Sequence, residues 1–337
     1  MVKRRNKNTF TWPWQGEGWQ AEHKGLMPFE WVVIAYIAFT LLIVLFTSTK
    51  LTNPETMVWE RIRVGATIIA LWIVYRLLPC RFTMFVRVAA QMGMLAWWYP
   101  DTYEINRMFP NLDHVIATWE QQLFGFQPAL EFARAFPSPI VSELMDCGYV
   151  SYFPMIAVVT LYYFFKRYED FGKAAFIILG AFFSYYVIFD LLPVAGPTFY
   201  YKAIGLHNAA NGIFPNVGDY FNSHQACLPS PGDVHGIFYN LVEDAKAAGE
   251  RPTAAFPSSH VGVSTICMLL AWRSGNRKLL FALLPFYVFL CMATVYIQAH
   301  YAIDAIAGLI TGVALYAVLN FISNRISTPG VSRRNGR

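Results

Sequence analysis

Apolar side chains run through this chain in long stretches, and the polar residues collect between them. Eight stretches, 16 to 25 residues long, have about the length of a bilayer-crossing helix. They are Pro28–Thr47, Ile62–Leu78, 83–99, Val141–Phe165, Lys173–Leu192, Pro257–Trp272, Leu279–Gln298 and Tyr301–Ile322. The pattern predicts an all-α polytopic membrane protein with about eight transmembrane helices. No internal repeat is evident.

The polar breaks carry their own signals. Residues 100–140 are polar and interrupted by prolines. Within them Leu112, Val115, Ile116, Trp119 and Leu123 recur at helical spacing. That spacing predicts an amphipathic helix over 112–124, lying on the membrane surface and ended by Gly125-Phe126-Gln127-Pro128. A longer break, 193–255, holds Gly196-Pro197-Thr198 and the irregularly spaced His207, His224 and His235, which form no clear metal signature. Loops of this length are usually functional or disordered. Glu30, near the start of the first run, is expected to reach the interface. Trp12, Trp14 and Trp19 either lie along the interface, where indole rings favour the headgroup level, or belong to a flexible tail.

Composition agrees. Of 337 residues, 56% are hydrophobic, 17% aromatic and only 14% charged, against about 25% charged in a soluble domain. The formal charge of +5 is spread between the apolar runs, which argues against nucleic acid as a partner and for membrane topology. With eight spans, Lys3/Arg4/Arg5/Lys7, Arg76/Arg81, Lys166/Arg167/Lys173, Arg273/Arg277/Lys278 and Arg325/Arg333/Arg334/Arg337 share one side, the cytoplasm by the positive-inside rule. Residues 83–99 contain Arg87 and Gln91, yet omitting them as a span destroys this agreement. The expected organisation is a cytoplasmic tail (1–27), a transmembrane catalytic domain (28–325, core about 140–325, outer loop 193–255) and a second cytoplasmic tail (326–337). No cleavable signal peptide is read, because the residues after the N-terminal cations are polar and tryptophan-rich. The five cysteines contain no C-x-x-C pair and imply no disulfide framework.

Two motifs carry the candidate chemistry. His300 and Asp304 are four apart and share one helix face. A carboxylate at the start of a membrane helix is functional by default; beside an imidazole it fixes the tautomer and frees the other nitrogen to attack an electrophile or move a proton. A structural His–Asp pair has the same spacing. Phe256-Pro257-Ser258-Ser259-His260 begins another span. Its serines and free N–H groups make an anion seat, with His260 placed to donate a proton, although an ordinary capped helix has the same features. The charge balance puts both motifs on the non-cytoplasmic face, on spans joined by one tight turn, where two histidines and an aspartate can surround a phosphoryl group. A zinc site of two histidines and an aspartate is an alternative, but the serine-rich helix start argues for phosphate. No metal and no cofactor are implied.

The pairing of Phe256-Pro257-Ser258-Ser259-His260 with His300-Tyr301-Ala302-Ile303-Asp304, continuing to Gly308, resembles the type 2 phosphatidic acid phosphatase superfamily, over residues 140 to 325. The resemblance implies a six-helix core, His300 as nucleophile forming a phosphohistidine, Asp304 as its orienting group and His260 as acid/base. The phosphatase branch also has Lys-x6-Arg-Pro in an earlier loop and Ser-Arg shortly before the nucleophile. Here no Lys-x6-Arg-Pro is found, and the latter two positions are Ala293 and Thr294. These departures look like the branch of inositol phosphorylceramide and sphingomyelin synthases, as does Leu123-Phe124-Gly125-Phe126-Gln127-Pro128. Ser258, Ser259, Lys202 and Arg251 are the candidate phosphate-binding residues, the two cations being also consistent with solvated loop charges.

The expected activity is a lipid phosphotransferase that moves a phospho-headgroup from a membrane phospholipid donor to a lipid hydroxyl acceptor. A phosphatase releasing a phosphomonoester or diphosphate to water is the alternative. A transporter or structural membrane protein fits less well: it predicts polar residues near mid-bilayer on broken, repeated helices, whereas this constellation sits at helix boundaries.

Overall fold

The computed structural model describes residues 25–326; the tail tryptophans Trp12, Trp14 and Trp19 and most of both expected tails lie outside the described residues. The described chain is helical: α1 (Pro28–Thr47), α2 (Pro54–Leu77), α3 (Arg81–Gly93), α4 (Leu95–Asn106), α5 (Asp113–Phe124), α6 (Pro128–Ala135), α7 (Pro139–Val150), α8 (Tyr152–Lys166), α9 (Tyr168–Leu191), α10 (Pro197–Ile204), α11 (Leu206–Ala210), α12 (Ile237–Gly249), α13 (Ser259–Arg273), α14 (Arg277–Tyr296) and α15 (Ala302–Ile326).

Among the described residues, four helical segments are long and apolar enough to cross a membrane: Pro28–Lys50, α9, α14 and α15. A fifth span forms if α7 and α8 count as one, bent by 46°. The bend has a local cause. Pro154, in the first turn of α8, cannot donate to the Val150 carbonyl, and its ring crowds that residue. The chain is an integral membrane protein. The other predicted spans differ for physical reasons. α2 is long but carries Glu60, Arg61 and Arg63 in its first half. The apolar run 83–99 divides into α3 and α4, and α4 continues through Pro100 to Asn106. α13 is 15 residues long.

α7, α8, α9, α13, α14 and α15 pack on one another as a six-helix core, and α1 and α4 also pack against α9. In α9, 78% of the apolar window is buried, against 17% in α15. α9 is therefore the central post, and α15 turns most of its surface outward. α13 and α15 touch backbone to backbone. A Cβ at Gly308 would stand 2.4 Å from the Ser258 carbonyl oxygen, and one at Gly312 would stand 2.6 Å from that of Gly262. Small residues permit this approach, and it presses the start of α13 against the start of α15.

The charged residues of the N-terminal helices are paired inside the protein. Glu30 is buried rather than at the interface. It accepts the Arg87 Nε at 2.8 Å, with a second contact from Arg87 Nη2. Arg61 grips Asp101 through Nη1 (3.2 Å) and Nη2 (2.7 Å). A lone buried charge would be prohibitive, so each arginine requires its partner.

The segment 193–255 is structured. It holds α10, α11 and α12, and its Phe199, Tyr200, Tyr201, Ile204 and Phe221 form a core with Ile116, Leu130, Val295 and Tyr301. It forms a cap over one end of the bundle.

The orientation of α5 is a further finding. Trp119 and Leu123 of its predicted apolar face are exposed, while Asp113 and Glu120 are fully buried together with Ile116 and Ala117. The helix turns two bulky apolar side chains outward and two carboxylates inward.

Candidate active site

The two histidine motifs meet at the boundary between bundle and cap. Ser258 caps α13, its Oγ accepting the Val261 N–H at 3.4 Å. The Ser258 N–H donates to the Asp304 carbonyl at 3.0 Å, which ties the two motifs by backbone. His260 falls in the first turn of α13, with its ring beside Tyr149 (centroids 4.8 Å apart, planes at 23°) and Tyr152 (4.4 Å, 42°).

His300 precedes α15. Its Nδ1 lies 2.8 Å from the Ala255 carbonyl oxygen and 3.6 Å from Asp304 Oδ2. Both neighbours are acceptors, so Nδ1 carries the proton. Nε2 is then the bare nitrogen, and it faces His260 Nδ1 at 3.4 Å. Asp304 Oδ2 also accepts the Tyr301 N–H at 2.9 Å, while its buried Oδ1 has no hydrogen-bond partner among the described residues. Burial pushes the His300 imidazole down to about 4, against the pull of the Ala255 carbonyl and the negative charge of Glu250.

The backbone is strained here. Among the described residues, only Ala254 (φ 65°) and Gln298 (φ 63°) are non-glycine positions in the left-handed region. Each is within two residues of one end of the Ala255–His300 hydrogen bond. Such conformations cost about 1–3 kcal/mol each and persist where the surroundings enforce them.

The enforcement comes from the cap. The Ala255 N–H donates to the Val194 carbonyl at 3.0 Å, and the Thr198 N–H donates to the Gln298 carbonyl at 2.9 Å. Gly196 (φ 93°) passes so close to Ala299 that a Cβ would stand 2.8 Å from its oxygen. Glu120 of α5 accepts the Ile303 N–H at 3.0 Å, capping the helix that bears Asp304. Burial raises Glu120 to about 8, with the nearby Asp304 charge adding to the rise.

Of the residues singled out from the sequence, His260, His300, Asp304, Ser258 and Ser259 come together. Lys202 is exposed on α10 and donates to the Cys227 carbonyl at 2.9 Å; it makes none of the hydrogen bonds of the histidine pair. Arg251 Nη1 bonds the Glu250 carbonyl at 3.4 Å, and its charge acts on Tyr99 and Tyr103. Sequence reasoning missed Tyr149, Tyr152, Glu250, Asp113, Glu120 and the Ala255 carbonyl. The spacing of seven between Asp113 and Glu120 was a readable signal for two carboxylates on one helix face.

A profile of the PAP2 superfamily matches residues 114–318, more than half of the chain, from α5 into α15. The chain belongs to the PAP2 superfamily. Neither curated proteins nor solved structures give a match. Lipid phosphatase or phosphotransferase chemistry is what membership suggests, and α1 to α4 precede the matched region.

Proposed function

We propose that this protein is a membrane lipid phosphotransferase of the inositol phosphorylceramide synthase type. The supporting observation is the bare Nε2 of His300, buried, with its Nδ1 held by a carbonyl and facing His260 beside a serine-capped helix start. His300 Nε2 attacks the donor phosphorus. The bond from phosphorus to the glycerol oxygen breaks, and His260 supplies the proton that the leaving diacylglycerol takes up. The headgroup phosphodiester remains on Nε2. An acceptor hydroxyl then gives its proton to His260 and attacks phosphorus, and the P–N bond breaks. Asp304 stabilises the charge that develops on the His300 ring. Ser258, Ser259 and the first turn of α13 seat the phosphate, with Lys202 and Arg251 the candidate cations. The 3.4 Å contact between the rings leaves no room for phosphorus, so substrate binding moves the His260 ring aside.

Transfer is favoured over hydrolysis by the positions where the phosphatase branch has Ser-Arg. Here Ala293 and Thr294 are fully buried, and the Thr294 carbonyl accepts the His300 N–H at 2.9 Å. The distribution of lysine and arginine supports a site on the non-cytoplasmic face with both termini cytoplasmic. The test is turnover of headgroup-labelled phosphatidylinositol with and without ceramide, in wild type and His300→Ala. Labelled product that requires both ceramide and His300 is expected. Label released to water without an acceptor indicates the phosphatase reaction, and full activity in His300→Ala ends the proposal.

A further inference from the structure

Asp113 belongs to none of the motifs above, yet its carboxylate accepts four hydrogen bonds. Its Oδ2 takes the Ala195 N–H at 2.6 Å and the Asn111 Nδ2 at 2.6 Å. Its Oδ1 takes the Gly196 N–H at 2.8 Å and the Tyr301 hydroxyl at 3.1 Å. The side chain is fully buried. These four donors lead to His300 by two routes. Through Ala195 and Gly196, Asp113 fixes the 194–196 backbone, whose Val194 carbonyl takes the Ala255 N–H; the Ala255 carbonyl then takes His300 Nδ1. Through Tyr301, Asp113 holds the residue next to His300.

The geometry points to Asp113 as a positioning residue that fixes His300 in the Nδ1–H tautomer and so leaves Nε2 free to react. Asp113 touches neither histidine; it acts through the backbone of residues 194–196 and 255. The chemistry requires this form, because an imidazole protonated at Nε2 cannot attack there. Left-handed backbone at Ala254 and Gln298, beside the two ends of this hydrogen bond, persists only where the surroundings enforce it, and the Asp113 clasp is part of that enforcement. This assignment rests on the reaction proposed for His300.

Asp113→Asn breaks the clasp specifically. An amide has one acceptor oxygen, so whichever way it turns, the Ala195 or the Gly196 N–H loses its partner. The direct readout is the imidazole 15N spectrum of histidine-labelled full-length protein in lipid bilayers, with the His300 signal identified by its loss in His300→Ala. The groups facing the ring in that titration are His260, Asp304 and Glu250. Wild type is expected to show His300 as the Nδ1–H tautomer alone. Asp113→Asn should show both tautomers and a titration midpoint moved up towards the ordinary histidine value. Its kcat should fall on the order of 10²-fold with little change in KM, as expected for a misplaced reacting group. Tyr301→Phe removes one of the four donors and should give the same change in smaller measure, which keeps the test available if Asp113→Asn does not fold. An Nε2–H tautomer in wild type overturns the assignment, as does an unchanged single tautomer and midpoint in the variants. An active His300→Ala would instead overturn the proposed reaction while leaving the tautomer result standing.

Discussion

The Ala255 carbonyl holds His300 Nδ1 at 2.8 Å, closer than the 3.6 Å that separates this nitrogen from Asp304 Oδ2. The tautomer of His300 is therefore set by a backbone group, and the role left to Asp304 is electrostatic. Where a carboxylate alone sets the tautomer of a catalytic histidine, its amide variant loses about 10⁴-fold in kcat. Asp304→Asn should lose less here, on the order of 10²-fold. Steady-state kinetics of Asp304→Asn beside His300→Ala checks this; equal losses in the two variants would contradict it.

The pH dependence follows from the burial of His300. Attack needs a neutral ring, and burial lowers its pKa from the model-compound value of 6.5 to about 4. The acid limb of kcat/KM, which reports the free enzyme, should fall near pH 4. Protonation of His300 should cost no activity as pH drops through 6.5 and should remove it only as pH approaches 4. A limb at or above 6.5 contradicts the buried, carbonyl-held ring.

Glu120 gives a stability prediction of definite sign. Its pKa rises from 4.5 to about 8 on folding, chiefly through burial. The folded state therefore binds the extra proton between these values, and this contribution to stability is complete below about 4.5 and lost as pH rises through 8. Glu120→Gln keeps an acceptor for the Ile303 N–H and cannot ionise. Melting temperatures in detergent should show wild type losing stability relative to Glu120→Gln between pH 5 and pH 9. A constant difference between the two would refute the buried, proton-bearing Glu120.

The contact between α13 and α15 predicts a packing effect. A methyl at Gly308 meets the Ser258 carbonyl oxygen at 2.4 Å, and that atom belongs to the helix start proposed to seat phosphate. Gly308→Ala should destabilise the protein by about 1–3 kcal/mol and raise KM for the phospholipid donor. Unchanged melting and KM would show that the two helix starts are not held in register by this contact.

How much of this was legible in the sequence varies with the kind of interaction. The apolar runs announced helices, and His300 with Asp304, four apart, announced a shared face. The join between His260 and His300 was readable as two helix starts brought to one end of a helical bundle. Less readable were the residues whose burial is decided by tertiary partners. Arg87 counted against a span over 83–99, and it is accommodated by a distant carboxylate, Glu30, as Arg61 is by Asp101. The apolar positions 119 and 123 pointed to a helix resting on its greasy side. The face it turns into the protein is decided by Asp113 and Glu120, which find backbone donors only once the cap and α15 are in place. The Ala255 carbonyl has no side-chain signature, so the atom that fixes the His300 tautomer could not be read at all.

The central claim is that His300 Nε2 carries the phosphoryl group during turnover. Wild-type protein incubated with headgroup-labelled phosphatidylinositol, quenched in alkali and digested, tests it most directly. The account predicts label on the peptide containing His300, discharged by added ceramide and absent from His300→Ala. Turnover with no label on that peptide, or label that persists in His300→Ala, would contradict it.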